Sequence, residues 1–141
     1  MIEATGNLWT YPAVVRVITT NGSVRNNLHA VMGRGCAAEA KYRYPGLPLR
    51  LGLQIRREGN RVFYFPGLQI ISFPVKHQWM EMADLELIRA STLQLLELIQ
   101  TFGSKYQIVM PRPGCGNGGL QWEQVRPLLV DLPDTVTVIT W

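Results

Sequence analysis

Gln107-Ile108-Val109-Met110 leads into Pro111-Arg112-Pro113-Gly114-Cys115-Gly116-Asn117-Gly118-Gly119-Leu120, and Gln121–Leu129 follows. The first four residues are a short apolar run and read as a buried strand. The next ten hold four glycines and two prolines, so they read as a loop. Gln121–Leu129 then reads as a short helix and Thr135–Thr140 as a final strand. A strand that feeds a helix through a glycine-rich turn, with another strand after it, is the unit of α/β architecture.

The same alternation runs outward from this stretch. Ala13–Thr20 is β-branched and apolar, and it stops at the turn signal Asn21-Gly22. Gly33-Arg34-Gly35 opens a helix from about Cys36 to Tyr42. Pro48 suits the first turn of a second helix through Leu49–Arg57. Arg61–Phe65 and Leu68–Phe73 read as a hairpin about Pro66-Gly67. A loop with Lys76, His77 and Trp79 precedes the longest helix, Ala83–Phe102, where Leu85, Ile88, Thr92, Leu95 or Leu96, and Ile99 recur at helical spacing. Glu81 and Asp84 suit its N-terminus, where negative charge is favoured. The expected fold is a three-layer α/β/α sandwich with a mixed central sheet, formed as one domain over residues 1–141. Ligands of such folds bind beyond the carboxyl ends of the strands. Three loops fall there: Asn21–Gly35, Pro74–Glu81 and Arg112–Leu120.

Composition narrows the class. Hydrophobic residues make up 47% and charged residues 17%, which excludes a disordered chain and a coiled coil. No apolar run reaches the ~20 residues of a membrane span. Met1-Ile2-Glu3-Ala4 has no signal-peptide pattern. The expectation is a soluble cytoplasmic protein. Cys36 and Cys115 sit far apart and outside any CxxC, so neither a zinc site nor a disulfide is expected. Fourteen Lys+Arg against ten Asp+Glu leave a net charge of +4. That suits a polyanionic ligand.

Three constellations carry chemistry. In the 111–120 loop, clustered glycines let backbone amides approach a phosphate at a helix N-terminus. Gly114, Gly116 and Gly119 fit GxGxxG, yet only one helix and one strand remain and no acid ends that strand, which excludes a dinucleotide fold. A plain glycine-rich turn stays as the alternative. Asn21-Gly22 with Ala30-Val31-Met32-Gly33-Arg34-Gly35 is a second glycine-rich opening of a helix. It lacks the Walker pattern. Two such loops suggest a diphosphate, with Asn21 on a ribose hydroxyl or simply in a turn. The third is Ser72-Phe73-Pro74-Val75-Lys76-His77-Gln78-Trp79. A lysine delivered at the ligand edge is a nucleophile toward an anomeric or carbonyl carbon once deprotonated. An unperturbed pKa of ~10.4 opposes that at neutral pH, and desolvation or a nearby cation such as Arg112 would favour it. A solvated charge is the bland alternative. Cys36 reads as a small packed hydrophobe, and Cys115 has no histidine placed to activate it. The arginines 43, 50, 56, 57 and 61, interleaved with Tyr42, Tyr44 and Phe63, read equally as a nucleic-acid track or a solvated face.

In order, Gly6-Asn7-Leu8, Thr20-Asn21-Gly22, Val31–Gly35, Phe73-Pro74-Val75-Lys76 with Trp79, and Pro111–Gly116 through Gly119–Glu123 resemble the macrodomain family of ADP-ribose-binding modules. The resemblance covers almost the whole chain. It is nearest to the branch of terminal ADP-ribose protein glycohydrolases and DNA ADP-ribosyl glycohydrolase antitoxins. It implies that Asn7 and Leu8 lie near the adenine, although many macrodomains have Asp where Asn7 stands. It implies that Thr20 and Asn21 meet the distal ribose region. Met32, Gly33, Arg34 and Gly35, with Pro113, Gly114, Cys115, Gly116, Asn117, Gly118, Gly119 and Leu120, would hold the diphosphate and distal ribose. Lys76 would attack the anomeric carbon, with His77, Trp79 and Arg112 as accessories. An aspartate that resolves the intermediate in the human protein-directed enzyme matches Gly118 here, which points toward the DNA-directed branch. The partners implied are ADP-ribose, ADP-ribosylated single-stranded DNA and a cognate ADP-ribosyltransferase toxin, with no cofactor, no metal and no membrane, and a monomeric chain. Hydrolysis of ADP-ribosylated acidic protein side chains and plain reading of ADP-ribose are the alternatives.

Overall fold

The computed structural model describes residues 1–103 and 105–140. Its elements in order are β1 (Ile2–Thr5), β2 (Val15–Asn21), α1 (Gly35–Arg43), α2 (Leu47–Glu58), β3 (Phe63–Phe65), β4 (Ile70–Lys76), α3 (Leu85–Phe102), β5 (Ile108–Pro111), α4 (Trp122–Leu129) and β6 (Val136–Thr140). They form one six-stranded sheet in the order β1-β6-β5-β2-β4-β3. Five strands run parallel, and the edge strand β3 is antiparallel.

Both faces of the sheet are covered, and the alternation of side chains along the strands shows it. Val17, Ile71, Ile108, Met110 and Val138 pack with Ile88 and Leu95 of α3 and Val125 and Leu129 of α4. Their neighbours Ile18, Ile70, Val109 and Ile139 pack with Ala37 and Ala40 of α1 and Leu47, Leu51 and Ile55 of α2. The result is the expected three-layer sandwich with a mixed sheet. Each of these large side chains is worth ~1.5–3 kcal/mol relative to exposure. Gly52 lets α2 pack directly on the backbone of residues 28–30: an added Cβ there would sit 1.8 Å from the Leu28 carbonyl oxygen.

The sequence expectations hold for β2, both early helices, the β3–β4 hairpin, α3, β5, α4 and β6, within a few residues at their ends. Two differences concern the site. β1 carries no strand signal in the short stretch Ile2-Glu3-Ala4-Thr5; it is mostly exposed and is a strand because its backbone pairs with β6. Lys76 lies not in a loop but at the last position of β4, which continues through Pro74 and Val75. α3 begins at Leu85, with Asp84 as its N-cap and the Glu86 amide donating to Asp84 Oδ1 at 3.0 Å.

Candidate functional site

A cleft of about 1160 Å³ opens at the carboxyl ends of the parallel strands. Thr19–Asn21 of β2, Val75 and Lys76 of β4, Pro111 of β5, Ile139 and Thr140 of β6, and Gly6 after β1 all reach it. From β6 to β4 is three interstrand spacings, about 14 Å. An extended ligand therefore lies across the strand ends rather than along one strand.

Two glycine loops face each other over this edge. The first leads into α1. Arg34 is the extended N-cap of that helix, and no side chain caps it. Gly35, Cys36 and Ala37 therefore present first-turn amides, with the partial positive charge of a helix N-terminus, to the cleft that they line. Gly35 needs its glycine for a left-handed φ of 58°, and Asn117 Nδ2 lies 3.3 Å from where a Cβ would be. The first loop thus comes close to the second at this point. In the second loop the Leu120 amide donates to the Gly114 carbonyl at 2.9 Å and the Gly119 amide to that of Gly116 at 3.2 Å. Its outer edge, Gly116 and Asn117, is exposed to the cleft. Gly118 is buried under the start of α3, its carbonyl accepting the Ala83 amide at 3.0 Å. A Cβ at Gly118 would stand 2.5 Å from the Gly114 carbonyl oxygen and 2.8 Å from Ala83 Cβ.

Lys76 stands between the loops. A register shift after Thr20 pairs it with Asn21 instead of leaving it beyond the sheet. Its carbonyl accepts the Asn60 side-chain amide at 3.0 Å, and its half-buried side chain brings Nζ to 3.5 Å from the Trp79 carbonyl oxygen. Next to it His77 Nε2 lies 2.7 Å from Asp84 Oδ2. The His77 hydrogen bond holds the Asp84 carboxyl below its ordinary pKa, and the Glu86 amide adds to this. Both cysteines line the cleft as protonated thiols, because burial raises each pKa. Cys36 Sγ lies 3.3 Å from both the amide and the hydroxyl of Thr19.

No protein-family model matches the chain. The DNA ADP-ribosyl glycohydrolase of Mycobacterium tuberculosis is 32% identical over 126 residues, covering 80% of this chain and 36% of that protein. The chain thus spans about a third of the length of the curated relatives it matches. The solved macrodomain of Mycobacterium tuberculosis DarG superposes with a TM-score of 0.77 at 30% identity, over 96% of this chain and 95% of that one. The chain belongs to the macrodomain family. A structure of Thermosipho africanus DarTG in complex with ADP-ribose shares the fold at 21% identity, with a TM-score of 0.80 over 95% of this chain and 39% of that one.

In this macrodomain the cleft gathers most of the residues expected from sequence. Leu8, Thr20, Asn21, Gly33, Arg34, Gly35, Lys76, His77, Trp79, Arg112, Gly114, Cys115, Gly116, Asn117 and Gly118 all line it. Five others do not. Met32 is packed in the core between sheet and α1, and Pro113 is buried beneath its own loop. Gly119 and Leu120 turn away toward Met82 and the α3 side. Asn7 lies just outside the lining, its Oδ1 accepting the Trp9 amide at 2.8 Å. Asn21 lines the cleft, but its amide is occupied: Nδ2 donates to the Val31 carbonyl at 3.0 Å and Oδ1 accepts the Ser23 amide at 2.9 Å. The turn reading of Asn21 therefore describes its side chain better than the ribose reading.

Several contributors carried no sequence signal. Arg16 donates to the carbonyls of Leu8, Ala13 and Tyr11 at 2.8–3.1 Å, and so holds the loop that brings Gly6 and Leu8 to the cleft. Ser23, Arg25, Glu39 and Met80 also line the cleft. Ser23, Arg25 and Met80 lie in loops expected at the strand ends, whereas only the fold reveals the parts played by Arg16 and Glu39. The basic 43–61 cluster lies elsewhere: Arg43 stacks on Trp9 and Arg50 on Phe65. No helix among the described residues is long and apolar enough to cross a membrane.

Proposed function

We propose that this macrodomain removes ADP-ribose from modified single-stranded DNA, at a thymine base, with Lys76 as the nucleophile. The observation that carries the reading is the position of Lys76: the end of the interior strand β4, half-buried, in a cleft whose two walls are glycine loops. The mycobacterial relative is a DNA ADP-ribosyl glycohydrolase, which supports DNA as the substrate. The ADP-ribose bound in the Thermosipho protein supports the ligand.

The diphosphate lies between the first turn of α1 and the amides of the 116–118 loop, with Arg34 and Arg112 at its sides. The distal ribose then sits over β4. The Lys76 amine, once it has given up its proton, attacks the anomeric carbon of that ribose. The bond from that carbon to the base nitrogen breaks, its electron pair leaves with the base, and the base takes up a proton. His77, held by Asp84, is the candidate donor. The ribose ring opens as the bond from the anomeric carbon to the ring oxygen breaks, the ring oxygen takes up the amine proton, and the carbon forms an imine with Nζ; water then adds to that carbon, the carbon–Nζ bond breaks, the ring recloses, and free ADP-ribose departs as the amine is restored. An ADP-ribosyltransferase acting on DNA must supply such a substrate, and the chain acts on it as a monomer.

The second reading is a module that binds ADP-ribose without cleaving it. Gly118 favours this reading, because no carboxylate stands there to help water resolve the intermediate. Release of ADP-ribose from a thymidine-modified single-stranded oligonucleotide, run beside a glutamate-modified protein, separates the two. Release from the oligonucleotide that disappears in Lys76→Ala is expected. Release from neither substrate, with free ADP-ribose still bound, leaves a reader.

A further inference from the structure

The segment between β4 and α3 combines a fixed backbone with unpartnered apolar side chains. Its backbone is tied to both walls of the cleft. The Gly22 amide donates to the His77 carbonyl at 3.1 Å, the Trp79 amide to Ser23 Oγ at 3.0 Å, and the Ala83 amide to the Gly118 carbonyl at 3.0 Å. A turn from Gln78 to Glu81 closes it, with the Gln78 amide on Glu81 Oε1 at 2.8 Å. Yet Trp79, Met80 and Met82 are 51%, 59% and 66% exposed. A pinned loop that displays three large apolar side chains in four residues does so against the tendency to bury them. Trp79 and Met80 line the cleft, and the Met82 methyl lies 3.2 Å from the Cβ position of Gly119. Together they form a lip beside Lys76.

We propose that Trp79 and Met80 are the platform on which the DNA base adjoining the modified nucleotide stacks. The inference rests on the DNA reading of the site and adds how the strand is held. Two observations select a nucleobase. Lys76 Nζ is 3.5 Å from the Trp79 carbonyl and both residues line the cleft, so Trp79 borders the place where a base is released at Lys76. The charged groups lining the same cleft are Arg25, Arg34, Lys76 and Arg112 against the single carboxylate of Glu39 among the described residues, a balance that suits a phosphate backbone. Stacking on an indole face accepts any base, so the platform fixes the strand without reading its sequence.

The test measures binding in a Lys76→Ala background, so that turnover does not consume the probe. The probes are free ADP-ribose and a short single-stranded oligonucleotide ADP-ribosylated on one central thymidine. The oligonucleotide is expected to bind more tightly than ADP-ribose. Adding Trp79→Ala should weaken the oligonucleotide about ten-fold more than it weakens ADP-ribose, and Trp79→Phe should restore most of the difference. Equal affinity of the two probes for Lys76→Ala, or an equal loss for both on adding Trp79→Ala, overturns the platform. Failure of the DNA-hydrolase reading shows elsewhere: the wild-type chain would bind the oligonucleotide and release nothing from it.

Discussion

Gly118→Ala is the smallest change that tests how the second loop is built. The new methyl would stand 2.5 Å from the Gly114 carbonyl oxygen and 2.8 Å from Ala83 Cβ. Neither neighbour is the end of a flexible side chain, so the loop must move outward. Overpacking of this kind costs ~1–3 kcal/mol. The movement also strains the bond from the Ala83 amide to the Gly118 carbonyl, worth ~1 kcal/mol. The sum is ~2–4 kcal/mol, or a fall in Tm of roughly 6–12 °C for a chain of this size. On the proposed reading the amides of residues 116–118 hold the diphosphate, so displacing them and losing one such charge-assisted bond should weaken ADP-ribose about ten-fold or more. Thermal unfolding followed by circular dichroism and calorimetric titration with ADP-ribose read the two effects. A Gly118→Ala protein with unchanged Tm and unchanged affinity refutes the packing argument. Gly118→Asp meets the same obstacle, so adding that carboxylate should impair the loop and not create a protein-directed hydrolase.

Other perturbations have defined outcomes. Gly52→Ala drives a methyl into the Leu28 carbonyl and should cost ~3 kcal/mol or more, seen as a lower urea midpoint with an unchanged slope. Asp84→Ala removes the N-cap of α3 and should cost ~1 kcal/mol in the same assay. The folded Asp84 carboxyl titrates below its unfolded value, so its contribution is complete at neutral pH and is lost as pH falls below about 4; Asp84→Asn should flatten that part of the stability–pH curve. Burial raises both thiols, so Cys36 and Cys115 should alkylate more slowly than free cysteine at pH 7–8, and ADP-ribose should slow them further.

The parts of this molecule legible in the sequence are those whose signal is local. The apolar period of Ile88, Thr92, Leu95 and Ile99 announces α3, and Pro66-Gly67 announces the hairpin that pairs Phe65 with Ile70. Glycines crowded between a strand and a helix announce both walls of the cleft. What stayed hidden depends on pairing between distant segments. Ile2–Thr5 has no strand pattern of its own and is held by β6. The register shift that aligns Lys76 with Asn21 arises between two strands more than fifty residues apart in sequence. The backbone groups that Asn21 and the Asn7 side-chain oxygen hold are likewise visible only in the fold. Met32 lies inside a site motif and yet packs in the core, because the residues around it turn outward and it turns in. Gly118 shows the reverse: its lack of a carboxylate is readable in the sequence, but the crowding that forbids one is visible only in the fold.

The central claim is that Lys76 forms a bond to the distal ribose, and covalent capture tests it most directly. The protein would be mixed with a thymidine-ADP-ribosylated oligonucleotide, quenched with borohydride during turnover, and digested for mass spectrometry. The account predicts a reduced ADP-ribose adduct on the peptide that contains Lys76, absent without substrate and absent in Lys76→Ala. Continued release of ADP-ribose by Lys76→Ala, with no adduct on the wild-type chain, would contradict it.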